Sequence, residues 1–222
     1  MSHFLPRLSP KALFFDLDGT LIESVSGFHD ALKETLQPYG FTLTAQDHQF
    51  LVGRGWDEMY SYLSQKARLP VSLTALAQEV DEVRHHQIKT RGSKELTGAS
   101  SFVKKLSQKF PCALVTGSGR RQAELILQQL GIDSHFQFLI CAGETDRCKP
   151  APDPYLLAAQ KMALDPKHCL AFEDSLVGIE SARSAGMYCV AVRAGNFANQ
   201  DQSGADLIIE TLEEIESWFQ SH

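Results

Sequence analysis

No stretch of the chain is long and apolar enough to cross a bilayer, and Met1 to Pro10 holds no apolar segment of the kind that directs secretion. The expectation is a soluble cytoplasmic protein that does not engage a membrane. A basic stripe is also missing: acids and bases are spread throughout a formal net charge of −6, which argues against a nucleic-acid partner. Cysteine is sparse and unpatterned. The five residues Cys112, Cys141, Cys148, Cys169 and Cys189 form no Cys-x-x-Cys pair, and an odd number without framework spacing excludes a disulfide scaffold and points to a reducing compartment. Cys112 and Cys189 lie in apolar runs and read as core. His85 and His86 are adjacent rather than at metal-ligand spacing. There is no internal repeat and no low-complexity segment. What remains is 222 residues, 43% hydrophobic, enough for one domain of ordinary size plus a smaller one.

Beyond residue 93 short apolar runs alternate with helical patterns. Phe102, Val103 and Leu106 share a helical face, and the run Cys112-Ala113-Leu114-Val115 follows. Ala123, Ile126, Leu127 and Leu130 recur at helical spacing with Gly131 as a stop. Phe138-Leu139-Ile140 is the next run. Asp153 before Pro154 predicts an N-cap and first-turn proline, with Tyr155, Ala158, Ala159 and Met162 on one face of that helix. Leu170-Ala171-Phe172, a helix carrying Leu176, Ile179 and Ala182, and the runs Cys189–Val192 and Leu207–Ile209 complete the alternation. Thr211 with Glu214 has the capping-box spacing, ahead of a helix with Leu212, Ile215 and Trp218. Continuous rather than alternating apolar runs fit strands buried on both faces, so the prediction is an α/β core: a Rossmann-like parallel sheet with helices on both sides. Residues 11 to 15 join that sheet by composition.

Residues 24–92 differ. Phe28, Leu32, Leu36 and Tyr39 share one helical face, Leu73, Leu76, Val80 and Val83 another, and no β-run interrupts them. The expected organisation is a core of residues 1–23 and 93–222, with a small all-helical cap of 24–92 inserted after the first strand.

Sites of open α/β sheets lie beyond the carboxyl ends of the strands. After the first run come Asp16 and Asp18, two residues apart and so on one side of a strand. Like charges held that close need a cation or proton between them, and Mg²⁺, with its preference for oxygen, is the simplest choice. After Cys112–Val115 come Thr116, Gly117, Ser118 and Gly119; after Phe138–Ile140 the chain loops to Lys149-Pro150; after Leu170–Phe172 come Glu173 and Asp174. A phosphate ester gives each piece work: carboxylates for the cation, a hydroxyl and Gly-rich backbone N–H groups for the anion, a lysine against its charge, and one leading carboxylate as nucleophile with the other as proton shuttle. Each piece also has a plain reading, as turn acids, a strand-end threonine, a surface lysine and helix-capping acids. Their convergence on one sheet edge favours the site.

Phe15-Asp16-Leu17-Asp18-Gly19-Thr20-Leu21, Val115-Thr116-Gly117-Ser118, Cys148-Lys149-Pro150-Ala151-Pro152-Asp153-Pro154-Tyr155 and Phe172-Glu173-Asp174-Ser175-Leu176-Val177-Gly178 together resemble the four motifs of the haloacid dehalogenase-like superfamily, in its branch with a helical cap after the first strand. The likeness covers nearly the whole chain. It implies Asp16 as nucleophile and Mg²⁺ ligand, Asp18 as general acid/base with its backbone carbonyl on the metal, Asp174 as a direct ligand and Glu173 as a ligand or its support. It further implies Thr116 and Lys149 on the phosphoryl group, helped by backbone N–H of Leu17, Asp18 and Gly117. Glu23 and Cys148 depart from the residues common at their positions.

The resemblance implies hydrolysis of a small phosphomonoester, phosphoglycolate or a sugar phosphate, through an aspartyl-phosphate, by a monomer or weak homodimer. The acid at Asp18 argues against dehalogenation, and neither Lys33 nor Lys66 sits in a motif for the Schiff base of phosphonate-cleaving relatives. A sugar-phosphate mutase of the β-phosphoglucomutase kind shares all four motifs and is the alternative. A phospho-receiver or binding protein without turnover is the alternative from another class. Val52-Gly53-Arg54-Gly55-Trp56 looks more like the cap loop of phosphoglycolate phosphatases; Arg54 there either grips a substrate anion or is a solvated arginine in a helix-to-helix turn.

Overall fold

The computed structural model describes residues 9–51, 54–67, 69–196 and 199–220. The chain divides into two compact units: Ser24–Ser93, and a second built from the segments before and after it, through Glu23 and from Lys94 onward. Ser93 thus falls with the helical unit.

The second unit holds six parallel strands: β1 (Ala12–Phe15), β4 (Cys112–Val115), β5 (Leu139–Ile140), β6 (Cys169–Glu173), β7 (Tyr188–Val192) and β8 (Leu207–Ile209), ordered β5-β4-β1-β6-β7-β8. The chain winds one way from β1 through β4 to β5, then returns to β1's other side for β6. The crevice between β1 and β6 is therefore the switch point at which open sheets bind ligands. Phe15 pairs with Leu114 on one side and Phe172 on the other, so the residues just past these strands emerge together. A short antiparallel pair, β2 (Ile22–Glu23) with β3 (Lys94–Glu95), joins the two crossings to and from the helical unit.

Strand alternation sorts the apolar runs onto two faces. Ala12, Phe14, Ala113, Val115, Cys169 and Ala171 pack with Tyr155, Ala158 and Ala159 of α7 (Asp153–Lys161) and with Ile179 and Ala182 of α8 (Leu176–Ser184). On the opposite face Phe15 stacks on Phe172 with centroids 4.8 Å apart, and Phe102 of α5 (Ala99–Leu106) meets Phe172 edge-on at 5.5 Å. Phe219 of the terminal helix α9 (Glu216–Gln220) closes that aromatic cluster. The helix α6 (Arg120–Leu130) ends as its sequence predicts, with Gly131 left-handed at φ +63°.

Two predicted caps form differently. Asp153 is the first residue of α7 rather than its cap, and its carboxylate accepts a hydrogen bond from Arg147 Nε at 3.1 Å. Thr211 makes no side-chain cap; Leu212–Ile215 winds as a 3₁₀ turn that buries Leu212 and Ile215. Three residues per turn place those two side chains on one line, and their burial decides the local geometry.

The helical unit contains α1 (Val25–Leu36), α2 (Ala45–Leu51), α3 (Trp56–Lys66) and α4 (Leu73–Arg91). Leu32, Leu36, Leu51, Leu63, Leu76 and Val80 form its core, with Phe28, Tyr39 and Val83 packed at the margin. Asp47, 1% exposed, ties α2 to α3: its carboxylate accepts from Thr44 N at 2.8 Å, Thr44 Oγ1 at 2.6 Å, Tyr62 OH at 2.7 Å and the Lys66 ammonium. Asp47 N–H in turn donates to Thr44 Oγ1 at 3.2 Å, a reciprocal cap at the start of α2.

Candidate active site

Asp16 follows β1 with its N–H donating to Phe172 O at 3.0 Å, which brings it alongside Glu173. By alternation both side chains point to the α7 face. Between them sits Lys149, delivered by the loop before α7. Its Nζ donates to Asp16 Oδ1 at 2.7 Å, Glu173 Oε1 at 2.5 Å and Val115 O at 2.8 Å. Tyr155 OH donates to the same Glu173 Oε1 at 2.6 Å. Glu173 is fully buried and Asp16 nearly so.

Three carboxylates share this space with one ammonium. Asp16, Glu173 and Asp174 each offer an oxygen, and the three atoms lie within 4.8 Å of one another. Burial pushes the Asp16 carboxyl up to about 8; Lys149 pulls it back, while Glu173 and Asp18 add to the rise. Burial, then the charges of Asp16, Glu173 and Asp18, hold Asp174 well above the usual carboxylate range. Burial works to strip Lys149 of its proton, but Asp16 and Glu173 outweigh it and keep the ammonium charged above its ordinary value. Glu173 Oε2 is buried without a hydrogen-bond partner. A hard divalent cation that takes oxygen ligands answers this surplus of negative charge, so the residues present fit one.

Asp18 stands apart from the trio: its carboxylate accepts the Ser118 hydroxyl, linking the loop after β1 to the loop after β4. Thr116 is buried at the end of β4, and its Oγ1 accepts from Ser118 N at 3.0 Å. That contact uses a lone pair and leaves the hydroxyl proton to donate elsewhere. The N–H groups of Leu17 and Gly117 take no backbone partner among the described residues. The structure thus brings together Asp16, Leu17, Asp18, Thr116, Gly117, Lys149, Glu173 and Asp174 at the β1–β6 crevice.

Two glycines shape the cluster. Gly19 has φ +80°, and a Cβ there would lie 2.1 Å from Asp174 Oδ2. A Cβ on Gly178, in the first turn of α8, would lie 1.9 Å from Glu173 Oε2. Sequence reading missed Tyr155, which looked like one more residue on an apolar helical face. It also missed Gln202, whose Nε2 donates to the backbone carbonyls of Asp174 at 2.7 Å and Val192 at 3.1 Å. No spacing rule announces a loop glutamine; only its 5% exposure in the folded chain does.

Arg54 belongs to the helical unit. Its guanidinium donates to Phe50 O at 2.6 Å and Glu58 Oε2 at 2.9 Å and lies 4.1 Å over the Phe50 ring. Val52 and Gly53 of the same loop lie outside the described residues. Lys66 is held by Asp47 and Tyr62, whose hydrogen bonds raise its pKa, so it stays an ammonium rather than the free amine a Schiff base requires.

The profile of the haloacid dehalogenase-like hydrolase family matches residues 13–192. Fructose-1-phosphate phosphatase of Escherichia coli is 33% identical over 181 residues, which cover 82% of this chain and 95% of that protein. N-acetylmuramic acid 6-phosphate phosphatase of Pseudomonas aeruginosa is 29% identical over 217 residues, 95% of each chain. Among solved structures, β-phosphoglucomutase of Clostridium difficile superposes with a TM-score of 0.76 over 96% of each chain; at 23% identity it speaks for the fold alone. No helix among the described residues is long and apolar enough to span a membrane. With the profile spanning most of its length and all four sheet-edge motifs assembled, the chain belongs to the haloacid dehalogenase-like hydrolase family, among its phosphatases.

Proposed function

We propose that this protein hydrolyses a small phosphomonoester, phosphoglycolate or a sugar phosphate, with Mg²⁺ and through an aspartyl-phosphate on Asp16. The observation that supports this most is the convergence of Asp16, Glu173 and Asp174 on one point with a single lysine between them. Asp16, Asp174 and the backbone carbonyl of Asp18 would hold the cation, with Glu173 beside them as a further ligand or as support, and the cation when bound supplies positive charge to the phosphoryl oxygens.

The chain's own groups account for the rest. An oxygen of the Asp16 carboxylate attacks phosphorus, and the bond from phosphorus to the ester oxygen breaks. Asp18, in its protonated form, gives its proton to the departing alcohol. Asp18 then takes a proton from water as the water oxygen attacks phosphorus and the bond from phosphorus to the Asp16 oxygen breaks, which releases inorganic phosphate and restores the Asp16 carboxylate. Lys149, 2.7 Å from Asp16 Oδ1, offsets the repulsion between an anionic nucleophile and an anionic phosphoryl group. Thr116 donates its free hydroxyl proton to a phosphoryl oxygen, beside the N–H groups of Leu17 and Gly117. Arg54, 42% exposed at its side chain and tethered to Glu58, is our candidate for the remote anionic end of the substrate.

Turnover of p-nitrophenyl phosphate, 2-phosphoglycolate, fructose 1-phosphate, N-acetylmuramic acid 6-phosphate and glucose 1-phosphate with and without Mg²⁺ tests the reading. Release of inorganic phosphate in the presence of the metal is expected. No turnover of any ester would leave a phospho-receiver or binding protein, and conversion of glucose 1-phosphate to its isomer would establish the mutase instead.

A further inference from the structure

Tyr155 carries a hydroxyl into an otherwise apolar layer between the sheet and α7. The ring is fully buried on the α7 face of the sheet, 6.5 Å from that of Phe14. A hydroxyl buried there is costly unless it is bonded, and its bond goes to Glu173 Oε1 at 2.6 Å, the oxygen that also takes Lys149 Nζ at 2.5 Å. The ring face lies 5.1 Å from the same ammonium. All three Lys149 protons have acceptors, namely Asp16 Oδ1, Val115 O and Glu173 Oε1, so the direction of the ammonium is set by where those three atoms stand. Val115 O is backbone and Asp16 is the proposed nucleophile. Glu173 is the one of the three whose placement depends on another side chain. Its Oε1 is held by Tyr155, and its Oε2 abuts Gly178 closely enough to forbid a Cβ there.

We propose that Tyr155 is a positioning residue: by pinning Glu173 Oε1 it commits Glu173 to holding Lys149 against Asp16, and leaves direct metal coordination to Asp16, Asp174 and the backbone carbonyl of Asp18. This rests on the phosphatase reading above and assigns work within the same site.

The experiment compares wild type, Y155F, E173Q and Y155F/E173Q. It reads kcat and KM for p-nitrophenyl phosphate at saturating Mg²⁺, the Kd of Mg²⁺ by calorimetry on resting protein, and the thermal midpoint. Y155F should lower kcat/KM about tenfold, the scale on which supporting hydrogen bonds act, with Mg²⁺ Kd within about threefold of wild type. The double variant should be no slower than E173Q alone, because Tyr155 acts through Glu173. The proposal is overturned if Y155F keeps kcat/KM within about twofold, if its losses multiply with those of E173Q, or if the metal Kd rises about tenfold while kcat at saturation is unchanged. Should Y155F fail to fold, E173Q alone decides. A Mg²⁺ Kd within about tenfold of wild type keeps Glu173 on the lysine, and a larger rise makes it a metal ligand. Wild-type protein without turnover would sink the phosphatase reading instead, and the calorimetry would still report what Glu173 holds.

Discussion

Asp47 in the helical unit and Asp16 at the end of β1 are both buried acids with a lysine ammonium against them, yet their surroundings differ in one countable respect. Asp47 alone receives two bonds from Thr44, one from Tyr62 and one from Lys66. Asp16 shares Lys149 with Glu173, and Asp174 crowds the same space. Burial raises the pKa at both sites. At Asp47 the hydrogen bonds of Lys66, Thr44 and Tyr62 more than offset it, and the carboxyl ends below its ordinary range. At Asp16 burial wins, helped by Glu173 and Asp18, and the carboxyl ends at about 8. A carboxylate whose donors are complete serves the fold; a group of carboxylates left short of positive charge is kept for a ligand, at some expense in stability.

The sharpest way to break this contrast is D16N. Turnover should fall at least about 10⁴-fold, as losses of a nucleophile do. Above about pH 8, where the Asp16 carboxyl is ionised, the metal-free protein should melt no lower than wild type, because a charge leaves an over-negative cluster. Steady-state rates and thermal melts in EDTA check both; normal turnover would remove Asp16 as nucleophile, and a markedly lower midpoint would show that its charge was needed for folding.

Titration sharpens it further. Because the folded pKa of Asp16 is raised, its contribution to stability is fully present below about pH 4, the ordinary carboxylate range, and is lost as pH rises through about 8. Metal-free protein should therefore lose stability across that window, and Mg²⁺ should restore more of it at pH 8 than at pH 5. At a hundredfold excess over its Kd the ion should add about 2.7 kcal/mol. Melting curves at both pH values with and without the ion decide the matter; the same increment at both would mean that the cluster is not what the cation binds. Asp47 carries the opposite sign. Its lowered pKa stabilises the fold above about pH 4, and the benefit drains away in acid. D47N should cost about 1–3 kcal/mol at neutral pH by disturbing buried hydrogen bonds, while kcat of the surviving folded enzyme stays within about twofold. A large fall in kcat with unchanged stability would reverse the roles assigned to the two carboxylates.

Most of this arrangement was legible before folding. Continuous apolar runs announced β1, β4, β6 and β7 because strands covered on both faces need no polar side, and the chemistry follows those runs directly in Asp16, Thr116 and Glu173. The parts that escaped notice depend on contacts between distant segments. Tyr155 and Glu173 are 18 residues apart, and nothing in the helical period separates a tyrosine that packs from one that donates. Asp47 reads as an ordinary polar residue of an amphipathic helix until Tyr62 and Lys66 arrive from α3. The Thr211–Glu214 spacing carried a true local preference, which the burial of Leu212 and Ile215 overrode.

Gln202 offers the smallest and most selective test, because it supports the cluster without belonging to it. Its amide nitrogen has two protons, given to the carbonyls of Asp174 and Val192 where β6 and β7 end. Those bonds fix the backbone from which the Asp174 carboxylate projects, and they leave its charge untouched. Q202L keeps the approximate volume and removes both donors, so it should cost about 1 kcal/mol of stability and weaken Mg²⁺ binding about tenfold. The rate at saturating metal should change little, since the nucleophile and Lys149 do not move. Calorimetric metal binding set beside kcat at high Mg²⁺ separates the two effects. A normal Kd would show that the Asp174 loop holds its shape without the glutamine, and a lowered saturating kcat would show that the loop steers more than the metal ligand.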